Sequence, residues 1–145
     1  MEQNHVKVCV VGEASVGKTC IIERSIDDIF PDDVQPTVAQ FREFEFNENG
    51  RTIKFDIWDT AGQETYRSLL PLYWQNANVI IIVFDITNEN SYKTLKNWFE
   101  NIPEAIRFDA LVLLVGNKVD LKESRVVDPK NADEFAHLND CSSYL

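Results

Sequence analysis

The octapeptide Gly12-Glu13-Ala14-Ser15-Val16-Gly17-Lys18-Thr19 leaves the chain few ways to fold. It fits G-x-x-x-x-G-K-[ST] at each fixed position. The apolar run Val6, Val8, Cys9, Val10, Val11 precedes it and a helix-compatible segment, Lys18 to Asp27, follows. A strand, a glycine loop and a helix in that order make a phosphate cradle. Gly12 and Gly17 allow turns where a side chain would clash, so that successive N–H groups converge on an anion at the positive end of the helix. Gly12, Ala14, Ser15, Val16, Gly17, Lys18, Thr19 and Cys20 are the candidate contacts. Lys18 would reach the β- and γ-phosphates, and the Thr19 hydroxyl would sit on Mg²⁺. The plain alternative is a strand-to-helix turn with a chance lysine.

A chain of 145 residues with 44% hydrophobic residues implies one globular domain, residues 1–145, with a real core. Its net charge of −10 argues against general binding to nucleic acid or an acidic membrane, so any phosphate must be held locally by backbone N–H groups, a lysine and a metal ion. Cys9, Cys20 and Cys141 lack metal spacing and read as reduced thiols. His5 and His137 suggest no ligand pair. The residues after Met1 carry no secretory signal, and the apolar run Val79 to Phe84 is too short to span a bilayer. A soluble, cytoplasmic chain is expected.

The pattern alternates strand and helix. After the first helix, with Ile21, Ile22 and Ile26 on one side, residues 28–38 turn irregular around Pro31 and Pro36. Strands at Phe41 to Phe46 and Thr52 to Trp58 flank Asn47-Glu48-Asn49-Gly50, a hairpin signal. A helix is expected near Leu69 to Asn76, with Pro71 close to its start. Val79 to Phe84 reads as the central strand, ending at Asp85; Ser91 to Asn101 reads as a helix with Leu95, Trp98 and Phe99 inward, stopped or kinked by Pro103. Leu111 to Val115 is a buried strand and Gly116 to Val127 a loop. Asp128-Pro129 opens a helix carrying Ala132, Phe135 and Ala136 inward. Residues 141–145 look like a strand that has barely begun. This order predicts an α/β, three-layer phosphate-loop NTPase fold: a mainly parallel sheet with one antiparallel edge strand and helices on both faces. Ligands of such sheets bind at the carboxyl ends of the strands.

Two further motifs follow strand ends. In Asp59-Thr60-Ala61-Gly62-Gln63-Glu64 the aspartate suits Mg²⁺, Gly62 can bring its N–H to the terminal phosphate, and Gln63 is placed to orient an attacking water. In Asn117-Lys118-Val119-Asp120 the carboxylate can accept from the N1–H and 2-amino group of guanine, a pair that adenine lacks, while Asn117 braces the phosphate loop and the Lys118 stem lies over the base. Each also has a polar-turn explanation, which weakens as the motifs accumulate.

The three motifs in this order resemble the Ras superfamily of small GTPases across essentially the whole chain. Trp58 to Glu64, Asn117 to Asp120, Tyr66-Arg67-Ser68-Leu69 with Tyr73, Phe84 to Asn88 and Asn97-Trp98 are together most similar to the Rab branch. The resemblance implies that Thr37 binds Mg²⁺ and the γ-phosphate, that Phe30 packs on guanine, and that Phe41, Trp58 and Tyr73 form an aromatic trio offered to effectors. It also implies slow GTP hydrolysis involving Gln63, Lys18 and Thr37, stimulated by GTPase-activating proteins and reset by exchange proteins, in a switch for vesicle trafficking. Residues 37–42 lack the glycine usual in the Rab switch I segment.

A family domain would continue through a final strand, a guanine-contacting Ser-Ala-Lys loop and a last helix. The chain is therefore expected to be a C-terminally incomplete domain, with an apolar patch, weakened nucleotide binding, no membrane anchor of its own, and membrane association only through an extension carrying a lipid. The alternative function is a non-catalytic, GTPase-like interaction module with weak or static nucleotide binding.

Overall fold

Every other residue of Val79–Asp85 is forced to one face of the sheet, yet nearly all are apolar, so both faces must be covered. The structure, a computed structural model describing residues 4–27, 40–60 and 68–144, builds that arrangement. Its elements are β1 (Asn4–Val11), α1 (Lys18–Asp27), β2 (Gln40–Glu48), β3 (Arg51–Asp59), α2 (Leu70–Trp74), β4 (Val79–Asp85), α3 (Glu89–Lys93), α4 (Leu95–Asn101), α5 (Glu104–Asp109), β5 (Leu111–Asn117), α6 (Pro129–Leu138) and β6 (Ser142–Tyr144). The strand order is β2-β3-β1-β4-β5-β6, with β2–β3 the antiparallel pair and the other pairs parallel. The expected fold class is the one observed, and the beginning strand at 141–145 is β6.

The hairpin is tighter than the sequence suggests. Pairing runs to Glu48↔Arg51, leaving Asn49-Gly50 as a two-residue turn with both φ values positive, 51° and 77°. α1 has the expected bounds, whereas the helix expected over 69–76 holds only at Leu70–Trp74. The single helix expected from Ser91 to Asn101 starts earlier, at Glu89, and breaks at Thr94, whose hydroxyl bonds back to the Ser91 carbonyl at 3.1 Å. That local bond competes with regular helix geometry. Pro103 opens the short helix α5, which the sequence reading missed: its carbonyl accepts from Ile106 N and Arg107 N. Gly116 and Asn117 extend β5 rather than starting a loop, because they pair with Phe84 and Asp85. Asp128 caps α6 as expected, accepting from Lys130 N at 2.9 Å.

The core divides with the sheet. On one face Cys9, Ile80, Ile82, Phe84, Val112 and Leu114 pack against α2, α4 and α6 through Trp74, Leu95, Trp98 and Ala136. On the other, Val8, Val10 and Val83 meet Ile22 of α1, with Val6, Phe55, Ile57, Val79 and Ile81 only partly buried.

Candidate functional site

The carboxyl ends of β1, β3, β4 and β5 bring the motifs together. Both loop glycines hold left-handed conformations, φ 147° at Gly12 and 99° at Gly17. A Cβ at Gly12 would stand 2.3 Å from the Val83 carbonyl oxygen, and one at Gly17 would stand 2.1 Å from Asn117 Nδ2. Neither position can carry a side chain without moving backbone or displacing Asn117. Between them Ser15 is also left-handed, and Ala14 and Ser15 are exposed while Val16 is buried as the loop's anchor in the α1-side core.

Lys18 is buried, and its ammonium donates to the carbonyls of Gly12 at 3.0 Å and Glu13 at 2.7 Å. Burial pulls its pKa down to about 8, opposed by the carboxylates of Asp59 and Glu13. Thr19 Oγ1 donates to Asp59 Oδ2 at 2.6 Å, while Asp59 Oδ1 is buried without a hydrogen-bond partner. Burial raises the Asp59 pKa, an effect partly offset by Thr19 and Lys18. A buried carboxylate with one free oxygen beside a hydroxyl is a hard-oxygen donor set, and it fits Mg²⁺, which keeps several non-protein ligands. Asp59 and Thr19 are the described residues that would hold it. Cys20 is half-buried in the first turn of α1.

Asn117 and Lys118 reach back across the sheet. Asn117 Nδ2 donates to Val16 O at 2.9 Å, and Lys118 Nζ to Ser15 O at 3.0 Å. Lys118 also pairs with Asp85 Oδ2 at 2.7 Å, and its own backbone is left-handed at φ 70°. Asp85 was not singled out as a site residue, although an acid closing the most apolar strand repeats the pattern of Asp59. Burial alone would raise its pKa, but hydrogen bonds from Lys118 and Thr87 hold it below the usual carboxylate range. Asp120 stands exposed in the turn after β5.

Phe41, Trp58 and Tyr73 do gather, with ring centroids 4.8 Å apart for Phe41–Trp58 and 5.6 Å apart for Trp58–Tyr73. Phe30, Thr37, Gly62 and Gln63 lie outside the described residues, as does the irregular stretch 28–38.

A glycine loop joining β1 to α1 at the carboxyl edge of this sheet defines a phosphate-loop NTPase α/β fold. The family model described as Ras family matches residues 7–145. The chain is 44% identical over 117 residues to the GTP-binding protein YPT53 of Saccharomyces cerevisiae, covering 80% of this chain and 53% of that one. It is 38% identical over 135 residues to human Ras-related protein Rab-30, covering 92% of this chain and 66% of the relative. With human Ras-related protein Rab-22A it shares 38% identity over 137 residues, 94% of this chain and 71% of the other. The chain belongs to the Ras family and, within it, to the Rab branch. Its matches span between about half and two thirds of the first of these relatives.

Proposed function

We propose that the chain is a guanine-nucleotide-binding domain that hydrolyses GTP and works as a Rab-type switch in vesicle trafficking. The hydrogen bond from Asn117 to Val16 O carries this reading. It joins the segment suited to guanine to the loop suited to phosphates, so base and phosphate recognition share one frame. YPT53 is named a GTP-binding protein, which supports the same ligand here.

In this reading the backbone N–H groups of residues 14–20 hold the α- and β-phosphates. Lys18 exchanges its two loop carbonyls for β- and γ-phosphate oxygens. Asp120 selects guanine, with Phe30 packing on the base and the Lys118 stem opposite. Bound Mg²⁺ would neutralise charge on the β- and γ-phosphates; Thr19, Asp59 and Thr37 are its side-chain holders. Thr37 and Gly62 sense the γ-phosphate, and Gln63 orients the water that attacks it, so that its loss releases both segments. The sequence offers no obvious internal arginine finger, so turnover is slow and an activating protein supplies that charge. Exchange proteins reset the switch. Effectors read the switch segments and the cluster of Phe41, Trp58 and Tyr73. No helix among the described residues is long and apolar enough to cross a membrane.

The partial cover on the α1 side favours a second reading, a non-catalytic module with weak or static nucleotide binding. Denaturing the purified protein and identifying the released nucleotide, then following single-turnover GTP hydrolysis, separates the two. Co-purified guanine nucleotide and slow hydrolysis, lowered at least tenfold by Gln63→Leu, are expected of the switch, about 1.4 kcal/mol in the barrier. Bound nucleotide without hydrolysis supports the module, and an empty protein sinks the switch.

A further inference from the structure

Glu13 sets a carboxylate inside a loop built to hold an anion. Its backbone carbonyl already accepts from Lys18 Nζ at 2.7 Å, so its side chain is attached next to the cradle. A negative group able to swing toward bound phosphates would oppose them. In the structure that carboxylate is held: Oε1 accepts a 3.0 Å hydrogen bond from the indole Nε1–H of Trp98, 85 residues away. Trp98 belongs to α4, is 3% exposed, and packs in the dense core, where its ring also walls a cleft with Leu70, Pro71 and Asn101. An indole nitrogen only donates, and a packed ring fixes its direction, so this contact suits a carboxylate and keeps it in one place.

We propose that Trp98 is a positioning residue of the phosphate site, whose indole N–H draws the Glu13 carboxylate onto α4 and away from the anion. The role rests on the nucleotide reading above. It ties the first turn of the loop to the opposite layer of the protein, and it makes an acidic loop residue compatible with an anionic ligand.

Trp98→Phe keeps an aromatic ring in the core and removes the donor; Glu13→Gln keeps an acceptor and removes the charge. Release of a fluorescent GDP analogue is timed in the wild type, both single variants and the double variant. Trp98→Phe is expected to speed release about fivefold, and more at low salt. Adding Glu13→Gln is expected to bring the rate back to within about twofold of wild type, because the freed charge is gone. Release from Trp98→Phe at the wild-type rate, or a double variant as fast as Trp98→Phe, overturns the proposal; the latter is what a purely packing role produces. A second measurement needs no nucleotide. In a ¹⁵N–¹H spectrum the Trp98 indole signal is expected to move on Glu13→Ala, while those of Trp58 and Trp74 stay, and an unmoved Trp98 signal overturns the tether. If the wild type binds no guanine nucleotide, the function reading fails, and the indole signal alone decides whether Trp98 holds Glu13.

Discussion

On the α4 side of the sheet Cys9, Ile80, Phe84 and Leu114 are sealed by three helices, whereas on the α1 side Val6, Phe55, Val79 and Ile81, from the same neighbourhood of the sheet, are only partly covered. Among the described residues the first cluster holds eighteen buried side chains and the second five. The central strands β4 and β5 are apolar on both faces, so there the difference lies in what packs on them. A parallel strand's composition states a demand for cover on each face; the helices available decide whether it is met. The phosphate loop sits between the two regimes, with Val16 anchored in the thin cluster and Trp98, the partner of Glu13, in the dense one.

Paired truncations test this contrast most directly. Phe84→Ala on the dense face is expected to lose about 3–5 kcal/mol in urea unfolding, since a fully buried ring leaves a cavity there. Phe55→Ala on the α1 side is expected to lose about 1 kcal/mol, because its ring is only half-buried. Equal losses would show the two faces to be packed alike. A smaller effect comes from pH. Burial pushes the Cys9 thiol up to about 12 from 9.0, so as pH climbs from 9 the unfolded chain ionises there and the folded chain does not. Stability should then fall by up to about 1.4 kcal/mol per pH unit through this one thiol, and Cys9→Ala should flatten the slope. An unchanged slope would mean that the dense face admits water at Cys9. The smallest change in stability is expected from Phe46→Lys: the ring is 45% exposed and lies opposite Ile53, so unfolding should shift by less than about 0.5 kcal/mol. The same variant should bind less of an apolar fluorescent dye, and undiminished dye binding would place the sticky surface elsewhere.

Much of this was legible in the chain. Alternation and apolar runs marked the strands, and the spaced motifs marked Lys18, Thr19, Asp59, Asn117 and Lys118, which the sheet does bring to one edge. What escaped was set by single local contacts. The break between α3 and α4 depends on one hydroxyl choosing the Ser91 carbonyl, and α5 depends on Pro103 acting as a cap where the sequence reading gave it only the role of a stop or kink. Asp85 and the Glu13–Trp98 pair were invisible for a different reason. Neither belongs to a spaced motif, and their partners, Lys118 and each other, become neighbours only after the sheet has formed.

The bonds from Asn117 and Lys118 to the carbonyls of Val16 and Ser15 span 101 and 103 residues of sequence. During folding, then, the glycine loop acquires these braces only after β5 has docked beside β4. The loop's shape is therefore a non-local product of folding, complete only once the sheet has assembled as far as β5.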